Sequence, residues 1–177
     1  MKKHLLDLLI LFIALLMLTS CGKKADDKDV IRFETTDLEG NTVSSEDIFS
    51  EHKITLVNIW GTYCGPCINE MPDLEILNQR LAEKDCAIIG IVSDVRGSGD
   101  TALIGTAKEI VSQTGVTYVN LVPWQGWYEK LMAEYIPTTY FIDSKGHIVG
   151  EAAVGARGAD DYEALLDEVL KTLDGGN

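Results

Sequence analysis

The sequence passes from a strand pattern to a helix pattern within Trp60-Gly61-Thr62-Tyr63-Cys64-Gly65-Pro66-Cys67. The preceding residues 54–59, Ile-Thr-Leu-Val-Asn-Ile, are mostly apolar and rich in β-branched side chains, which predicts a short buried strand that stops at Gly61. Pro66 suits the first turn of a helix, because the backbone N–H that proline lacks would have no partner there anyway. We therefore expect Cys64 to lie where the strand ends and the helix begins.

The two cysteines of this stretch have the spacing of a reactive dithiol. Cys64 would lie at the start of the helix, where free N–H groups and the positive end of the helix dipole stabilise a thiolate and lower its pKa. Cys67 follows one turn later, close enough to form a disulfide with Cys64. A low-pKa outer thiolate with a second thiol beside it predicts thiol–disulfide exchange.

Two plainer interpretations of this spacing are a zinc site and a structural disulfide. A zinc site needs a second half, and the remaining cysteines and histidines are Cys21, Cys86, His4, His52 and His147, with no zinc-binding histidine spacing. A structural disulfide across so short a loop would constrain the unfolded chain little. We therefore expect a redox-active pair, with no bound metal and no other cofactor.

The motif at residues 60–67 resembles the active-site motif of the thioredoxin superfamily. The longer pattern Cys64-x-x-Cys67-x-x-Glu70-x-Pro72, with Asn58 upstream, is similar to the membrane-tethered, extracytoplasmic TlpA/ResA branch. The resemblance runs from about Phe33 to about Leu173. It implies a thiol–disulfide oxidoreductase in which Cys64 is the nucleophile and Cys67 resolves the mixed disulfide.

The hydrophobic patterns along the chain agree with such an α/β fold. They predict a hairpin at 31–43, strands at 86–93, 117–122, 138–142 and 147–154, helices at 66–83 and 127–135, a helix that ends before Gly115, and a final helix ending near Leu173. We expect a thioredoxin-like fold with a central mixed sheet flanked by helices and an N-terminal β-hairpin. The segment around Ser93–Leu121 fits the extra strand–helix insertion of the TlpA/ResA branch.

The first residues have the pattern of an export signal. A basic start precedes the apolar run Leu8–Leu18, which is shorter than the about 20 residues of a membrane span. Leu18-Thr19-Ser20-Cys21 then resembles a bacterial lipobox, which implies cleavage before Cys21 and a lipid on its sulfur. An ordinary signal peptide, or an uncleaved anchor with a free Cys21, is the alternative. We interpret 1–20 as a lipoprotein signal peptide, 21–30 as a flexible tether and 31–177 as one thioredoxin-like domain of the AhpC/TSA type.

Charge and composition exclude some partners. The 177 residues are 46 % hydrophobic, enough to bury one core, and carry a formal net charge of −13. So acidic a chain argues against binding to nucleic acid and against electrostatic binding to anionic lipid. We therefore expect attachment to the extracytoplasmic face of a bacterial cell membrane through the lipid anchor alone.

Glu70 is the residue expected to tune the cysteines. Asn58 stands where thioredoxins resemble one another in having a buried aspartate, and an amide cannot accept the proton of Cys67 as a carboxylate can. Glu70 lies three residues after Cys67, on the same side of the helix, and ResA-like proteins carry a glutamate at the matching place. A solvent-facing glutamate is the plainer alternative. We expect Glu70 to be buried, with a raised pKa.

The sequence Ile136-Pro137-Thr138 precedes a strand. In thioredoxin-like folds the matching proline is cis and faces the cysteines, and the residue before it offers backbone groups to an extended substrate. We expect a substrate groove lined by Trp60, Tyr63, Ile136, Pro137 (cis) and Thr138. We also expect local packing for Trp124 and Trp127, and a core position for Cys86.

The resemblance implies a membrane-anchored enzyme of cell redox homeostasis. It would reduce disulfides in exported proteins, such as cytochrome c apoproteins during cytochrome c biogenesis or methionine sulfoxide reductases. It would work as a monomer and take electrons from a membrane thiol electron donor. The Gly65-Pro66 pair is similar to that of thioredoxin and favours a reductant, although the dipeptide does not fix the direction of electron flow.

Two other functions stay open at this point. Peroxiredoxin-like thiol peroxidases share the hairpin and the fold, but the threonine of their motif would fall on Gly61, and Thr62 is one residue away. A non-enzymatic copper- or thiol-binding lipoprotein of the Sco type would use a longer cysteine spacing and a distant histidine. Here the spacer has two residues, and His147 lies in a predicted hairpin.

Overall fold

The computed structural model describes residues 30–175. The predicted signal peptide at 1–20, all but the last residue of the tether at 21–30, and the lipidation site Cys21 lie outside this part. Within residues 30–175, no helix is both long enough and apolar enough to cross a membrane. The described residues cover nearly all of the predicted thioredoxin-like domain.

Strands and helices alternate along most of the described chain. The strands are β1 (Glu34–Thr36), β2 (Thr42–Ser44), β3 (Ile54–Trp60), β4 (Cys86–Val92), β5 (Asn120–Leu121), β6 (Thr138–Asp143) and β7 (Ala153–Val154). The helices are α1 (Ser45–Phe49), α2 (Gly65–Leu81), α3 (Thr101–Thr114), α4 (Trp127–Lys130) and α5 (Ala159–Asp174), and a 3-10 turn, Ala82–Lys84, follows α2. Pro72 lies inside α2, in agreement with the helix predicted at 66–83.

β3 is the centre of the main sheet, whose strand order is β5-β4-β3-β6-β7. It runs parallel to β4 and antiparallel to β6, with Ile54 paired to Cys86 on one side and to Asp143 on the other. β1 and β2 form a separate antiparallel hairpin. The predicted central mixed sheet and N-terminal hairpin are therefore confirmed.

The side chains of β3 alternate between two hydrophobic cores, one on each face of the sheet. Leu56 and Trp60 belong to the core that α2, α3 and α5 cover, whereas Val57 and Ile59 belong to the core on the side of the hairpin, α1 and α4. Burial on both faces explains why this strand is apolar throughout rather than alternating with polar residues. It also fixes the end of β3, from which the chain leads to Cys64.

The predicted insertion lies beside β4 and is confirmed. α3 ends at Gly115, whose φ of 74° is a conformation that glycine adopts easily. β5 then pairs in parallel with β4. Asn120 of β5 also accepts a hydrogen bond from the indole Nε1 of Trp60 over 2.8 Å. A buried side-chain contact thus joins the insertion to the strand that precedes Cys64.

β5 is shorter than the strand predicted at 117–122 and contains only Asn120–Leu121. The chain before it is held by a side chain instead, since the backbone N–H and the hydroxyl of Thr117 both donate to the carboxylate of Glu75, each over 2.8 Å. Glu75 lies on α2 and is buried. It therefore ties the insertion to the helix that carries Cys67.

Two other elements are also shorter than the patterns predicted. The helix predicted at 127–135 ends early, because Leu131 leaves the helical conformation (φ −118°, ψ 78°) and is fully buried. The return strand predicted at 147–154 is interrupted by Gly150 at φ 69°, so that β7 is limited to its end. Neither difference changes the strand order.

We expect Glu75→Ala to lower the free energy of unfolding by about 2–3 kcal/mol, because it leaves the N–H and the hydroxyl of Thr117 without their acceptor. Urea unfolding followed by circular dichroism measures this change. Glu83→Ala is the matched control, since Glu83 lies just after the same helix with an exposed side chain, and it should cost less than about 0.5 kcal/mol. Equal effects of the two substitutions would contradict the anchoring role of Glu75.

Candidate active site

A disulfide between Cys64 and Cys67 occupies the junction of β3 and α2, with a Cα–Cα distance of 5.3 Å. Cys64 is the N-cap of α2, and its sulfur accepts a hydrogen bond from the backbone N–H of Cys67 over 3.2 Å. Pro66 removes one N–H that would otherwise need a partner in the first turn. The start of the helix thus directs a donor at the sulfur of Cys64, an arrangement that stabilises a thiolate.

The two cysteines are both buried but differ in how far. Cys64 is 7 % exposed and Cys67 is 1 % exposed. Tyr63, directly before Cys64, is 75 % exposed and stands at the surface beside it. A large substrate can therefore meet Cys64 first, while Cys67 acts from inside the protein.

The Ile136–Pro137 peptide bond lies next to the disulfide and is cis. The carbonyl oxygen of Ile136 is 3.7 Å from the sulfur of Cys64. The carbonyl of Pro137 is already used, because it accepts the N–H of Gly155 over 2.8 Å. The backbone that borders Cys64 is therefore that of Ile136, whose side chain is half-buried.

Trp60 does not line a groove, and this part of the sequence interpretation was wrong. Trp60 is fully buried, because the alternation of β3 turns it to the same core as Leu56, where its indole meets Asn120. The prediction that Thr138 lines the groove was wrong as well. Its backbone pairs within the sheet, and its buried hydroxyl donates to the carbonyl of Tyr135 over 2.7 Å. Tyr63 and Ile136 remain as candidate groove residues, and Pro137, although buried, contributes the cis peptide bond next to the disulfide.

Glu70 is buried at 3 % exposure, so the solvent-facing alternative does not hold. Its carboxylate accepts three hydrogen bonds: from Asn58 Nδ2 over 3.0 Å, from the backbone N–H of Arg157 over 3.0 Å and from the hydroxyl of Tyr162 over 3.1 Å. Thr139 closes the ring, because its hydroxyl accepts from Asn58 over 3.0 Å and lies 3.2 Å from the hydroxyl of Tyr162. The strand β3, the helix α5 and the loop before it meet at this carboxylate, and β6 supports two of its donors through Thr139.

Burial raises the pKa of Glu70 above its ordinary value, although the hydrogen bonds from Arg157, Asn58 and Tyr162 lower it in part. Burial also raises the pKa of Tyr162, so this hydroxyl keeps its proton and donates to the carboxylate. Asn58 contributes a donor only: among the residues that the structure describes, its Oδ1 has no hydrogen-bond partner. Glu70 is therefore the acidic group of this cluster, and burial favours its protonated form.

Three residues of this cluster were not singled out from the sequence. Tyr162 belonged to the apolar stripe of the last helix, which predicts burial but not the partner of its hydroxyl. Thr139 was only part of a strand. Arg157 acts through its backbone N–H, and its side chain donates instead to the carbonyls of Val154 and Gly155. No residue-type signal could have shown that contact.

The remaining candidates lie away from the disulfide chemistry. Cys86 is buried, and burial raises the pKa of its thiol. Trp124 stacks on Phe33 with ring centroids 4.1 Å apart, so it packs against the N-terminal hairpin. His147 contacts Asp143 over 3.2 Å. Between residues 30 and 175, no three His, Cys, Asp or Glu side chains form a group that could hold a metal ion.

Comparison with known proteins agrees with this geometry. The model of the AhpC/TSA family matches residues 26–150. The thiol-disulfide oxidoreductase ResA of Bacillus anthracis is 30 % identical over 146 residues, which cover 80 % of this chain and 77 % of the relative. The thioredoxin-like protein YneN of Bacillus subtilis is 27 % identical over 146 residues, which cover 82 % of this chain and 78 % of the relative.

Solved structures show the same fold. A thiol:disulfide interchange protein of the thioredoxin family from Chlorobium tepidum TLS aligns with a TM-score of 0.65 at 22 % identity, over 80 % of this chain and 95 % of that structure. StoA from Bacillus subtilis aligns with a TM-score of 0.59 at 16 % identity, over 76 % of this chain and 95 % of that structure. The predicted thioredoxin-like fold is therefore confirmed, and Cys64 and Cys67 are the redox pair of a thiol–disulfide oxidoreductase of the ResA type.

We expect Tyr162→Phe to raise the pKa of Glu70 further, because it removes a hydrogen bond that stabilises the carboxylate. It should also lower the free energy of unfolding at neutral pH by about 1–2 kcal/mol. Titration of ¹³C-labelled glutamate carboxyl groups by NMR measures the first effect, and urea unfolding the second.

Tyr140→Phe is the matched control for this titration. Tyr140 neighbours Thr139 on β6 but packs on the opposite face of the sheet, so its hydroxyl is remote from Glu70. An unchanged titration of Glu70 in Tyr162→Phe, or an equal shift in both variants, would argue that the Tyr162 hydroxyl does not act on the carboxylate.

Proposed function

The chain belongs to the AhpC/TSA family, and we propose that this thiol–disulfide oxidoreductase works outside the cytoplasm, where it reduces disulfides in exported proteins. The observation that carries the proposal is the Cys64–Cys67 disulfide at the start of α2, with the carbonyl of Ile136 on its outer side. The buried carboxylate of Glu70, one helical turn after Cys67, supports a reaction in which the inner thiol must lose a proton.

In the first step, the thiolate of Cys64 attacks one sulfur of a client disulfide. A bond forms between Cys64 and that sulfur, while the second client sulfur leaves as a thiolate and takes up a proton. The client chain lies against Ile136 and Pro137, with Tyr63 at its edge. Cys64 is the less buried of the two cysteines, which suits it to this first attack.

In the second step, Cys67 loses its proton and its thiolate attacks the sulfur of Cys64. The mixed disulfide breaks, the Cys64–Cys67 disulfide forms, and the client leaves as a dithiol with two electrons gained. We assign the proton of Cys67 to Glu70, because a buried carboxylate with a raised pKa accepts a proton more readily near neutral pH than an exposed one.

The oxidised pair must regain two electrons and two protons before it can act again. A membrane thiol electron donor would supply them, in a second exchange that runs the same two steps in reverse. The Gly65-Pro66 dipeptide supports a reductant, and apocytochrome c and methionine sulfoxide reductases are the proposed clients. A monomer suffices, since one chain holds both cysteines and Glu70.

The location rests on the residues before the described part. We propose that 1–20 is a lipoprotein signal peptide, that the sulfur of Cys21 carries the lipid, and that 21–30 tethers the domain of 31–177 to the outer face of the cell membrane. The acidic composition of the chain leaves the lipid as the means of attachment.

Two alternatives have less support from the site. A thiol peroxidase would use a threonine hydroxyl close to its cysteine, and the hydroxyl of Thr62 donates to the carboxylate of Asp94 instead. A copper-binding protein of the Sco type would need a histidine free for the metal, and His147 contacts Asp143.

We expect the purified protein, equilibrated in graded glutathione buffers, to show a reversible two-electron transition at or below about −230 mV. Free thiols counted by alkylation and mass spectrometry measure the transition. A midpoint near −120 mV would reverse the proposed direction of electron flow. The absence of any reversible transition would remove the enzymatic proposal.

Cys67→Ser is the control for this measurement. It keeps Cys64 but cannot close the disulfide, so the two-electron transition should disappear. In cells, the same variant should accumulate as mixed disulfides with its clients, because the second step is blocked. Cys64→Ser should form none of these adducts.

We expect Cys21→Ser to move most of the protein from the membrane fraction to the soluble fraction, because acyl chains would supply its membrane affinity. Cell fractionation and immunoblotting measure the distribution. Cys86→Ser is the matched control, since it removes a buried thiol of the domain and should leave the protein in the membrane. A Cys21→Ser protein that stays in the membrane would contradict the lipid anchor.

A further inference from the structure

The turn that leads to Cys64 is held by the carboxylate of Asp94, which follows β4. Asp94 Oδ1 accepts the backbone N–H of Thr62 over 3.0 Å, and Asp94 Oδ2 accepts the hydroxyl of Thr62. The N–H of Cys64 closes the same turn by donating to the carbonyl of Gly61 over 3.0 Å. One carboxylate therefore holds Thr62 at two points, two residues before the nucleophile.

Gly61 lies against both Asp94 and Ile136. A Cβ at Gly61 would lie 3.4 Å from Asp94 Oδ1 and 3.1 Å from Ile136 Cδ1. Ile136 is the residue whose carbonyl lies 3.7 Å from the sulfur of Cys64. The carboxylate and the residue before the cis-proline thus border the same glycine.

Arg96 is the cation nearest to Asp94 in the sequence, and it is turned elsewhere. Its backbone N–H and its Nε both donate to Asp100, over 3.4 Å and 3.3 Å. The two groups of Thr62 that donate to the Asp94 carboxylate, a hydroxyl and a backbone N–H, are both uncharged. Its negative charge therefore acts on the turn that carries Cys64.

We propose that Asp94 is a positioning residue for the redox reaction, which fixes the turn that presents Cys64 and places a negative charge on that turn, at Thr62. This inference rests on the proposed function. The charge opposes the Cys64 thiolate, whereas the start of α2 favours it. A less favoured thiolate makes the reduced dithiol the stronger electron donor, so Asp94 shifts the pair towards the reduction of clients.

The decisive variant is Asp94→Asn, which keeps the size of the side chain and its oxygen acceptor but removes the charge. In the purified full chain, we expect the equilibrium constant for reduction of the Cys64–Cys67 disulfide by glutathione to rise about two- to fivefold. Iodoacetamide should alkylate reduced Cys64 faster by a similar factor at pH 6, because more of it is thiolate.

Two further variants separate the charge from the hydrogen bonds. Asp100→Asn removes a carboxylate from the same loop without touching Thr62, and it should leave both quantities near those of the wild type. Thr62→Val keeps the charge but removes the hydroxyl that donates to Asp94. It should leave the equilibrium constant nearly unchanged, while the rate of reduction of a small disulfide falls severalfold because the turn is held by one bond.

The proposal is overturned if Asp94→Asn matches the wild type, or if Asp100→Asn changes the equilibrium constant equally. Should Asp94→Asn fail to fold by circular dichroism, Thr62→Val decides, since an unchanged rate there would also overturn the positioning role. In each of these cases the proposed function still stands, provided that the wild-type chain shows its reversible two-electron transition. A wild type without that transition would count against the proposed function itself.

Discussion

The sulfur of Cys64 receives the N–H of Cys67 at the first turn of α2, and this contact requires a strand and a helix to meet within a few residues. β3 can end at that point because two hydrophobic cores cover its faces and fix its position. α2 is held against the same sheet, and Glu75 ties it to the insertion. Much of the fold therefore serves to place one sulfur atom at the end of one strand.

A buried carboxylate next to this junction is strongly destabilising unless every oxygen has a donor. Glu70 meets that requirement with three donors: Asn58 before it in the sequence, and Arg157 and Tyr162 far after it. The remaining cost of burial is what raises the pKa of Glu70. The same burial that destabilises the ionised carboxylate thus favours its protonated form, which supports the proposed role of Glu70 as the proton acceptor for the inner thiol.

The strand, the C-x-x-C and the helix could be predicted because their signals are local in the sequence. The direction of Trp60 was predicted incorrectly, because closeness to Cys64 along the chain was taken for closeness to the substrate. The alternation of β3 places Trp60 on the same face as Leu56, and four residues of separation in a strand already indicate this. The contact of Arg157 with Glu70 could not be predicted, since any residue except proline supplies a backbone N–H.

Asn58 on β3 and Glu70 on α2 form one buried amide–carboxylate pair, so the residue type at one position affects what the other can be. Asn58 Nδ2 lies 3.0 Å from the carboxylate of Glu70, within hydrogen-bond distance. An aspartate at residue 58 would bring two carboxylates into this contact inside the protein, and like charges at that separation cannot both be ionised. A second carboxylate on the strand would therefore force one of the two groups to keep a proton. With the amide on β3, the buried carboxylate of the pair lies on α2, the helix that also carries Cys67, and the amide is one of its donors.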